Sequence, residues 1–339
     1  MSKCLLLLFI AATMLCSAHL AASAPAKPAE IVNGLLGPVP IPKDNPQTPA
    51  KIALGRQLYF DKRLSSDKTI NCASCHEPSH YWADPGHAVS KGVAHKLGKR
   101  NSPTILNAAY SVPQFWDGRA LHLEKQAVGP VSNPLEMDLP MPKLLARLNA
   151  IPGYLKQFKA VFGGPATADN VAKAIASFER TIVNGNSAYD EYLRGNKKAL
   201  SASALRGMKL FAGKADCIAC HSGPYFSDSK YHNLGIGYRN GKYSDVGRYD
   251  VTKKKSDMGA FKTPTLRNVA MTAPYMHDGS VKTLMDVVNI YNMGGIPNPN
   301  LDHDIKPLGL SEAEKADLVA FLKSLTGKPV IVKPPALPR

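Results

Sequence analysis

Cysteine is scarce in this sequence, and its positions exclude a disulfide-bonded scaffold. The chain has 6 cysteines in 339 residues. Cys4 and Cys16 lie in an apolar N-terminal stretch, and the other four belong to two short motifs in which a cysteine pair precedes a histidine. No cysteine is therefore left over for the disulfide bonds that stabilise many exported proteins.

Acidic residues and long apolar runs are also few. Asp and Glu number 26 against 42 Lys and Arg, which gives a formal net charge of +16. The apolar stretch that begins at Cys4 follows a basic residue, Lys3, and precedes small residues at 21–24. This order predicts a signal peptide over residues 1–24, because the stretch is too short for a membrane anchor. Lys3 is the only charge in that segment, so the exported chain would keep +15.

The four remaining cysteines form the pattern Cys-x-x-Cys-His, which is the attachment signature of a c-type haem. The two copies are Cys72-Ala73-Ser74-Cys75-His76 and Cys217-Ile218-Ala219-Cys220-His221. In such a motif both cysteines form thioethers to the porphyrin, and the histidine ligates the iron. A zinc site would need further ligands, and a redox dithiol needs no adjacent histidine. The sequence therefore predicts two covalently bound haems.

An exported haem protein is not expected to bind nucleic acid, in spite of its positive charge. Two interpretations of that charge stay open. It is either an ordinary solvated surface or a means of steering an acidic redox partner towards the protein.

The second half of the chain repeats the spacing of the first. From a threonine in each half it is 13 residues to an Asp-Gly pair, and from that aspartate six more to a leucine. The matched residues are Thr104 and Thr265, Asp117 and Asp278, and Leu123 and Leu284. Matched spacings of this kind indicate a duplicated haem-binding unit.

The predicted fold is mostly α, with two tandem c-type cytochrome domains, because helical patterns recur and strand signals are sparse. The N-terminal haem domain is predicted at 49–190 and the C-terminal haem domain at 191–327. An extended arm at 25–48 precedes them, and a proline-rich tail at 328–339 follows.

Three helix boundaries can be predicted from capping signals. Pro49 is expected to begin the first helix, and Asp169 is expected to cap a helix over 169–183. Ser311 and Glu314 have the spacing of a capping box, which predicts a last helix that runs to Thr326.

With these residues in view, the chain from about residue 45 to 327 resembles the bacterial dihaem cytochrome c peroxidases and the related MauG-type dihaem enzymes. The motifs that carry the resemblance, besides the two haem motifs, are Arg100-Asn101-Ser102-Pro103-Thr104, Phe115-Trp116-Asp117-Gly118-Arg119-Ala120, Gln126-Ala127, Glu136-Met137, and Leu266-Arg267-Asn268 through Ala273-Pro274-Tyr275-Met276-His277. The resemblance implies that hydrogen peroxide reacts at the N-terminal haem. It also implies that the C-terminal haem relays or stores oxidising equivalents.

The resemblance assigns catalytic roles to three side chains. Glu136 and Gln126 would stand over the open face of the N-terminal haem, where a carboxylate can move the proton that peroxide cleavage requires. Trp116 would lie between the haems and carry electrons, although plain core packing is its simpler interpretation. Pro130 either walls the same pocket or only ends a helix.

The second ligand of the C-terminal haem separates the two branches of the family. In this family it lies 16 residues after the tyrosine of the Ala-Pro-Tyr motif, and it is methionine in the peroxidases and tyrosine in the MauG-type enzymes. Counting from Tyr275 gives Tyr291, with Met293 as a minor alternative. The histidine that blocks the peroxide haem of many peroxidases is replaced by Val93, and His95 is expected to be solvated.

The resemblance also implies a calcium ion between the domains. Its ligands would be Asn101 and the backbone carbonyls of Thr272 and Pro274, which are oxygen donors of the kind that calcium prefers. The expected partners are hydrogen peroxide and either a small cytochrome c or cupredoxin donor or a protein substrate.

The function expected from the sequence is that of a periplasmic dihaem peroxidase, with Tyr291 favouring the MauG-type branch. A peroxide-detoxifying cytochrome c peroxidase is the alternative within the enzyme class. A dihaem electron carrier without catalysis is the alternative from another class, and it would leave Glu136 and Gln126 without a role.

Overall fold

Helices are the main regular structure in residues 34–339, the part of the chain that the computed structural model describes. The α-helices of this part, numbered α1 to α11 in chain order, are Pro49–Phe60, Leu123–Ala127, Gly129–Ser132, Met141–Asn149, Pro152–Phe162, Ala168–Glu179, Ala188–Leu193, Ala202–Ala212, Tyr249–Thr252, Leu284–Asn292 and Glu312–Ser324. The 3₁₀ helices are Lys62–Leu64, Cys72–Ser74, Pro78–His80, Val93–His95, Ala108–Tyr110, Cys217–Ala219, Lys255–Asp257 and Val269–Met271. The predicted signal peptide lies outside the described residues, as does the arm up to residue 33.

Strands are only two residues long in this part of the chain. They are β1 (Tyr231–His232), β2 (Tyr238–Arg239), β3 (Lys242–Tyr243) and β4 (Phe261–Lys262). β1 pairs antiparallel with β4, and β2 pairs antiparallel with β3. Within residues 34–339, no helix has the length and apolar character needed to cross a membrane.

The first helix starts where its sequence predicts. Thr48 is the N-cap of α1, with its hydroxyl oxygen accepting from the amide of Lys51, and Pro49 occupies the first turn. Proline suits that position because its fixed φ matches the helix and its missing N–H would have no partner there. The last helix is likewise capped by the reciprocal hydrogen bonds of Ser311 and Glu314, although it ends at Ser324.

The expected cap of the 169–183 helix is wrong. The helix is α6, Ala168–Glu179, and its N-cap is Thr167, whose hydroxyl oxygen accepts from the amide of Asn170. Asp169 instead lies in the first turn, where its negative charge interacts favourably with the positive end of the helix dipole. Both residue types can cap, so the choice between them depends on the path by which the chain enters the helix.

The helix that leads into each haem motif packs closely on a later helix. α1 lies against α6, and α8 lies against α11. At each crossing a glycine faces a backbone carbonyl, Gly55 that of Ala174 and Gly207 that of Asp317. A Cβ atom at either glycine would collide with that carbonyl oxygen, so the backbones can approach this closely only without a side chain.

The buried apolar residues form two clusters within one compact unit. The first cluster draws its buried members from residues 54–182, and the second from 189–325. The predicted boundary between 190 and 191 falls inside α7, and Tyr189 of that helix belongs to the second cluster. The division into two haem domains therefore stays a prediction.

Segments that match between the halves adopt the same backbone conformation. Asn107 and Asn268, which are 161 residues apart, both have φ of 62°. The matched loops also exchange hydrogen bonds, because the Asn101 amide donates to the His277 carbonyl over 2.7 Å and the Lys262 amide donates to the Trp116 carbonyl over 2.7 Å. Lys262 matches Asn101 and His277 matches Trp116 at the same offset, so the two bonds are equivalent.

Candidate functional site

Each Cys-x-x-Cys-His motif folds as one tight turn that brings its sulfurs and its histidine together. Cys72–Ser74 and Cys217–Ala219 are single 3₁₀ turns. The amide of the histidine then donates to the carbonyl of the first cysteine, over 3.0 Å in the first motif and 2.9 Å in the second. Burial raises the pKa of the Cys75 thiol to about 11 and that of Cys217 to about 12. The thiols of Cys75 and Cys217 are therefore protonated at neutral pH.

Both motif histidines are oriented by a backbone carbonyl. Nδ1 of His76 lies 3.0 Å from the carbonyl oxygen of Pro103, and Nδ1 of His221 lies 3.0 Å from that of Phe226. A carbonyl can only accept, so Nδ1 carries the proton and Nε2 carries the lone pair that ligates a metal. Burial lowers the pKa of His76, and it lowers that of His221 to about 4. Both imidazoles are therefore neutral, as iron ligation requires.

The second motif opens into a cavity of about 310 Å³. Its walls are mostly apolar, and they include Leu284, Val288 and Leu322. Cys217, Cys220 and His221 line the same cavity. Paired sulfurs, a neutral imidazole and apolar walls are what a covalently bound haem needs, so these residues fit that group.

The two candidates for the second axial ligand have different environments. Tyr291, near the C-terminus of α10, lines the cavity with His221. Burial raises the pKa of its hydroxyl, and nearby Cys217 and Cys220 raise it further. Met293 follows the helix, is 65% exposed and does not line the cavity.

Glu136 lies beside the first haem motif in a loop that follows α3. Its negative charge contributes, after burial, to the raised pKa of both Cys72 and Cys75. Asn133 donates from Nδ2 to Oε1 of Glu136 over 2.6 Å. Burial raises the pKa of Glu136, while Asn133 and Arg119 oppose that shift. The carboxyl group is thus held at one oxygen and partly withdrawn from water.

The loop in which the blocking histidine would occur packs on this glutamate. Val93 is buried, and its amide donates to the carbonyl of Glu136 over 2.8 Å. His95, two residues further on, is exposed. Position 93 therefore carries no imidazole, and the imidazole of His95 is exposed to solvent.

Gln126 and Pro130 lie on the short helices α2 and α3. Gln126 is half-buried, and its side chain makes no hydrogen bond with any residue of 34–339. Pro130 lies in the first turn of α3, which begins at Gly129, and its carbonyl accepts from the amide of Met137 over 3.2 Å. The contacts bring Pro130 near the Glu136 loop, whereas the position of Gln126 beside that loop rests on the resemblance alone.

Trp116 lies where the two halves of the chain meet. Its side chain lines the same cavity as His221 and Tyr291. Its Nε1 donates to the carbonyl of Asn101 over 2.9 Å, and its own carbonyl accepts from Lys262. Trp116 is therefore bonded to both halves, through its indole to the first half and through its backbone carbonyl to the second.

The three residues predicted to bind calcium also line this cavity. Asn101 is buried, and its Nδ2 donates to the carbonyls of His87 and Ala88 at 3.3 Å and 3.1 Å. The amide oxygen of Asn101 is left to accept or to ligate, and Thr272 and Pro274 line the same space. These donors fit calcium in type, since all of them are carbonyl oxygens.

Sequence patterns did not single out Lys262, which lines the cavity next to Trp116. Its side chain reaches across to the first half, where Nζ donates to Oγ of Ser111 over 2.8 Å. The repeat contained a signal that could have identified it. Lys262 occupies in the second half the position that Asn101 occupies in the first.

Comparison with known proteins relates the chain to haem enzymes. The family model described as di-haem cytochrome c peroxidase matches residues 49–198. The methylamine utilization protein MauG of Methylorubrum extorquens is 42% identical over 302 residues, which cover 88% of this chain and 85% of that protein. The cytochrome c551 peroxidase of Nitrosomonas europaea is 39% identical, over 88% of this chain and 86% of that protein.

A solved structure supports the same relationship. The crystal structure of a MauG-like protein associated with microbial copper homeostasis superimposes with a TM-score of 0.80 at 34% identity. The match covers 87% of this chain and 94% of that one. The similarity thus extends over both halves of the chain and not only over the residues that the family model matches.

Proposed function

Because the chain belongs to the di-haem cytochrome c peroxidase family, we propose that it is an exported enzyme that reduces hydrogen peroxide to water. The family implies two c-type haems, with Cys72, Cys75 and His76 holding one and Cys217, Cys220 and His221 the other. The bound haems supply the redox-active iron and the open coordination position for peroxide. Two electrons and two protons convert one hydrogen peroxide into two waters, and the electrons come from a small cytochrome c, a cupredoxin or a protein substrate.

The observation that carries this proposal is the half-buried carboxyl group of Glu136 beside the first haem motif. Cleaving the O–O bond requires a proton to move from one peroxide oxygen to the other, and a positioned carboxylate can accept it and return it. Asn133 holds Oε1, so Oε2 is the oxygen that exchanges the proton. Burial raises the pKa of Glu136 above its usual value, which makes its carboxylate a better acceptor of that proton.

Trp116 is proposed to carry electrons between the two haems. Its indole lines the cavity of the second haem motif, and hydrogen bonds to its side chain and its backbone hold it from both halves of the chain. An aromatic ring held in this way divides one long electron transfer into two shorter ones.

The MauG-type branch is favoured over a peroxide-detoxifying peroxidase by the environment of Tyr291. Tyr291 lines the cavity of the second haem, whereas Met293 is exposed outside it. Val93 replaces the blocking histidine, so the first haem would react with peroxide without prior reduction. The detoxifying peroxidase stays the second candidate, because relatives with either name are about 40% identical to this chain.

A calcium ion held by Asn101, Thr272 and Pro274 is part of the proposal. These residues line one cavity at the junction of the halves, and the amide oxygen of Asn101 is not used by the hydrogen bonds of its Nδ2. Water would complete the shell, because three protein oxygens are fewer than the six to eight that calcium takes.

Electron paramagnetic resonance of the oxidised protein tests the branch. We expect one high-spin haem with an open position and one low-spin haem. Replacing Tyr291 by phenylalanine should change the low-spin signal, and Met293→Leu, the matched control, should leave it unchanged. If only the methionine change alters the signal, the protein is a detoxifying peroxidase of the methionine-ligated kind. Two low-spin haems in the wild type would instead indicate an electron carrier.

A further inference from the structure

Lys262 stands out among the residues that line the cavity of the second haem motif. It ends strand β4, and its amide donates to the carbonyl of Trp116. Its side chain is half-buried and lines the same cavity as His221 and Tyr291. Ser111, to which Nζ of Lys262 donates, lines the same cavity, so the ammonium group lies at the wall of the space that the second haem must fill.

This ammonium group lacks an acidic partner. Nζ has one hydrogen bond, to Oγ of Ser111, and no carboxylate within residues 34–339 forms an ion pair with it. Burial alone lowers the pKa of Lys262, to about 8, with no acidic group opposing the shift. A cation that is withdrawn from water without a counter-charge is unfavourable, and proteins normally pair such groups.

Lys51, which is buried, shows the usual arrangement of a lysine that is withdrawn from water. Nζ of Lys51 donates to Oδ1 of Asn45 at 2.9 Å and to the carbonyl of Pro46 at 2.7 Å. Glu124 lies close enough to raise its pKa against the effect of burial. Nζ of Lys262 has neither a second hydrogen bond nor a nearby carboxylate. A negatively charged group from outside the polypeptide would therefore supply the partner that it lacks.

The haem itself brings such a partner, because it carries two propionate groups that are ionised at neutral pH. The other cationic side chains that line the cavity are less suited than Lys262 to form an ion pair with a propionate. His232 is already held between Asp302, at 2.7 Å, and Asp228, at 3.1 Å. Lys306 lines the cavity but is exposed to water, which weakens any ion pair that it makes.

We propose that Nζ of Lys262 pairs with a propionate of the haem that Cys217 and Cys220 hold, and that Ser111 positions it there. Lys262 is then a positioning residue that ties the second haem to the first half of the chain next to Trp116. Its positive charge also stabilises the reduced haem relative to the oxidised one, because reduction adds an electron beside it. The inference depends on the second haem being present and not on the peroxidase activity.

The first test is a spectroelectrochemical titration of the haem-loaded protein and of its Lys262→Met variant. We expect the midpoint potential of the low-spin haem to be at least 59 mV lower in the variant. For one electron this corresponds to a tenfold change in the equilibrium constant for reduction. Lys262→Arg, which keeps the charge, should stay within threefold of the wild type. Lys306→Met is the matched control at the exposed lysine, and it should also stay within threefold.

Two results of this titration would overturn the proposal. One is a Lys262→Met potential within threefold of the wild type, and the other is an equal fall in Lys306→Met. A crystal structure of the haem-loaded wild type decides the question without any variant, since Nζ must lie within about 4 Å of a propionate oxygen. Peroxide turnover is measured separately on the same samples. If turnover is absent while the shift is present, the proposed function fails and the role of Lys262 stands.

Discussion

Replacing Glu136 by glutamine removes the carboxyl group proposed to exchange a proton beside the first haem motif, and it changes little else. Glutamine has the same shape, and its carbonyl oxygen can still accept from Nδ2 of Asn133, as Oε1 does now over 2.6 Å. The backbone bond from Val93 to the carbonyl of residue 136 is unaffected. We therefore expect the variant to fold and to bind both haems.

The expected effect is a fall of about two to four decades in the rate at which the oxidised protein reacts with peroxide. This is the usual contribution of a positioned general acid and base, and it corresponds to about 3–5 kcal/mol of transition-state stabilisation. Stopped-flow mixing with peroxide, followed by haem absorbance, measures that rate directly. Pyridine haemochrome assays of the same samples check that each chain still carries two haems.

The pH dependence gives a second readout. Burial raises the pKa of Glu136, and the ionised form must accept the first proton. The wild-type rate should therefore fall as the pH falls through that raised pKa, while the Glu136→Gln rate should not show this fall. Glu312→Gln is a matched control, because the Glu312 side chain is 88% exposed at the start of α11. A Glu136→Gln rate within twofold of the wild type would remove Glu136 from the mechanism and favour an electron carrier.

Three further predictions concern stability and haem attachment. Arg267→Met should lower the free energy of unfolding by about 3–5 kcal/mol, because it leaves the fully buried carboxylate of Asp190 without its ion pair. Urea titration measures this change, and adding Asp190→Asn should recover part of the loss. Burial raises the pKa of Glu179 to about 8 in the folded protein, from 4.5, so the contribution of Glu179 to the free energy of unfolding should fall by roughly 1.4 kcal/mol per pH unit as the pH rises through this window. Glu179→Gln should lose that slope in denaturation measured at several pH values, and an unchanged slope would contradict the assignment. Cys72→Ser and Cys220→Ser should each lose covalent attachment at its own motif, and an unchanged count of two covalent haems would refute it.

Features that depend on neighbouring residues alone were predictable from the sequence. The two haem motifs are such features, because attachment chemistry needs two thiols and an imidazole within one turn. The start of α1 at Pro49 and the capping box of Ser311 and Glu314 are others, since their hydrogen bonds span only three or four residues. The repeat could also be read from spacing, and the matched φ values of Asn107 and Asn268 reflect it in the backbone.

Features that depend on distant parts of the chain were decided by the tertiary structure. The cap of α6 is Thr167 rather than Asp169, because the entering chain directs the threonine hydroxyl to the amide of Asn170. The burial that raises the pKa of Glu136 comes from packing, and no local pattern reveals it. Lys262 meets Ser111 across 151 residues of sequence. Local sequence therefore determined which groups can hold a haem, whereas the surroundings of Glu136 and Lys262 arise only when distant segments pack together and exclude water.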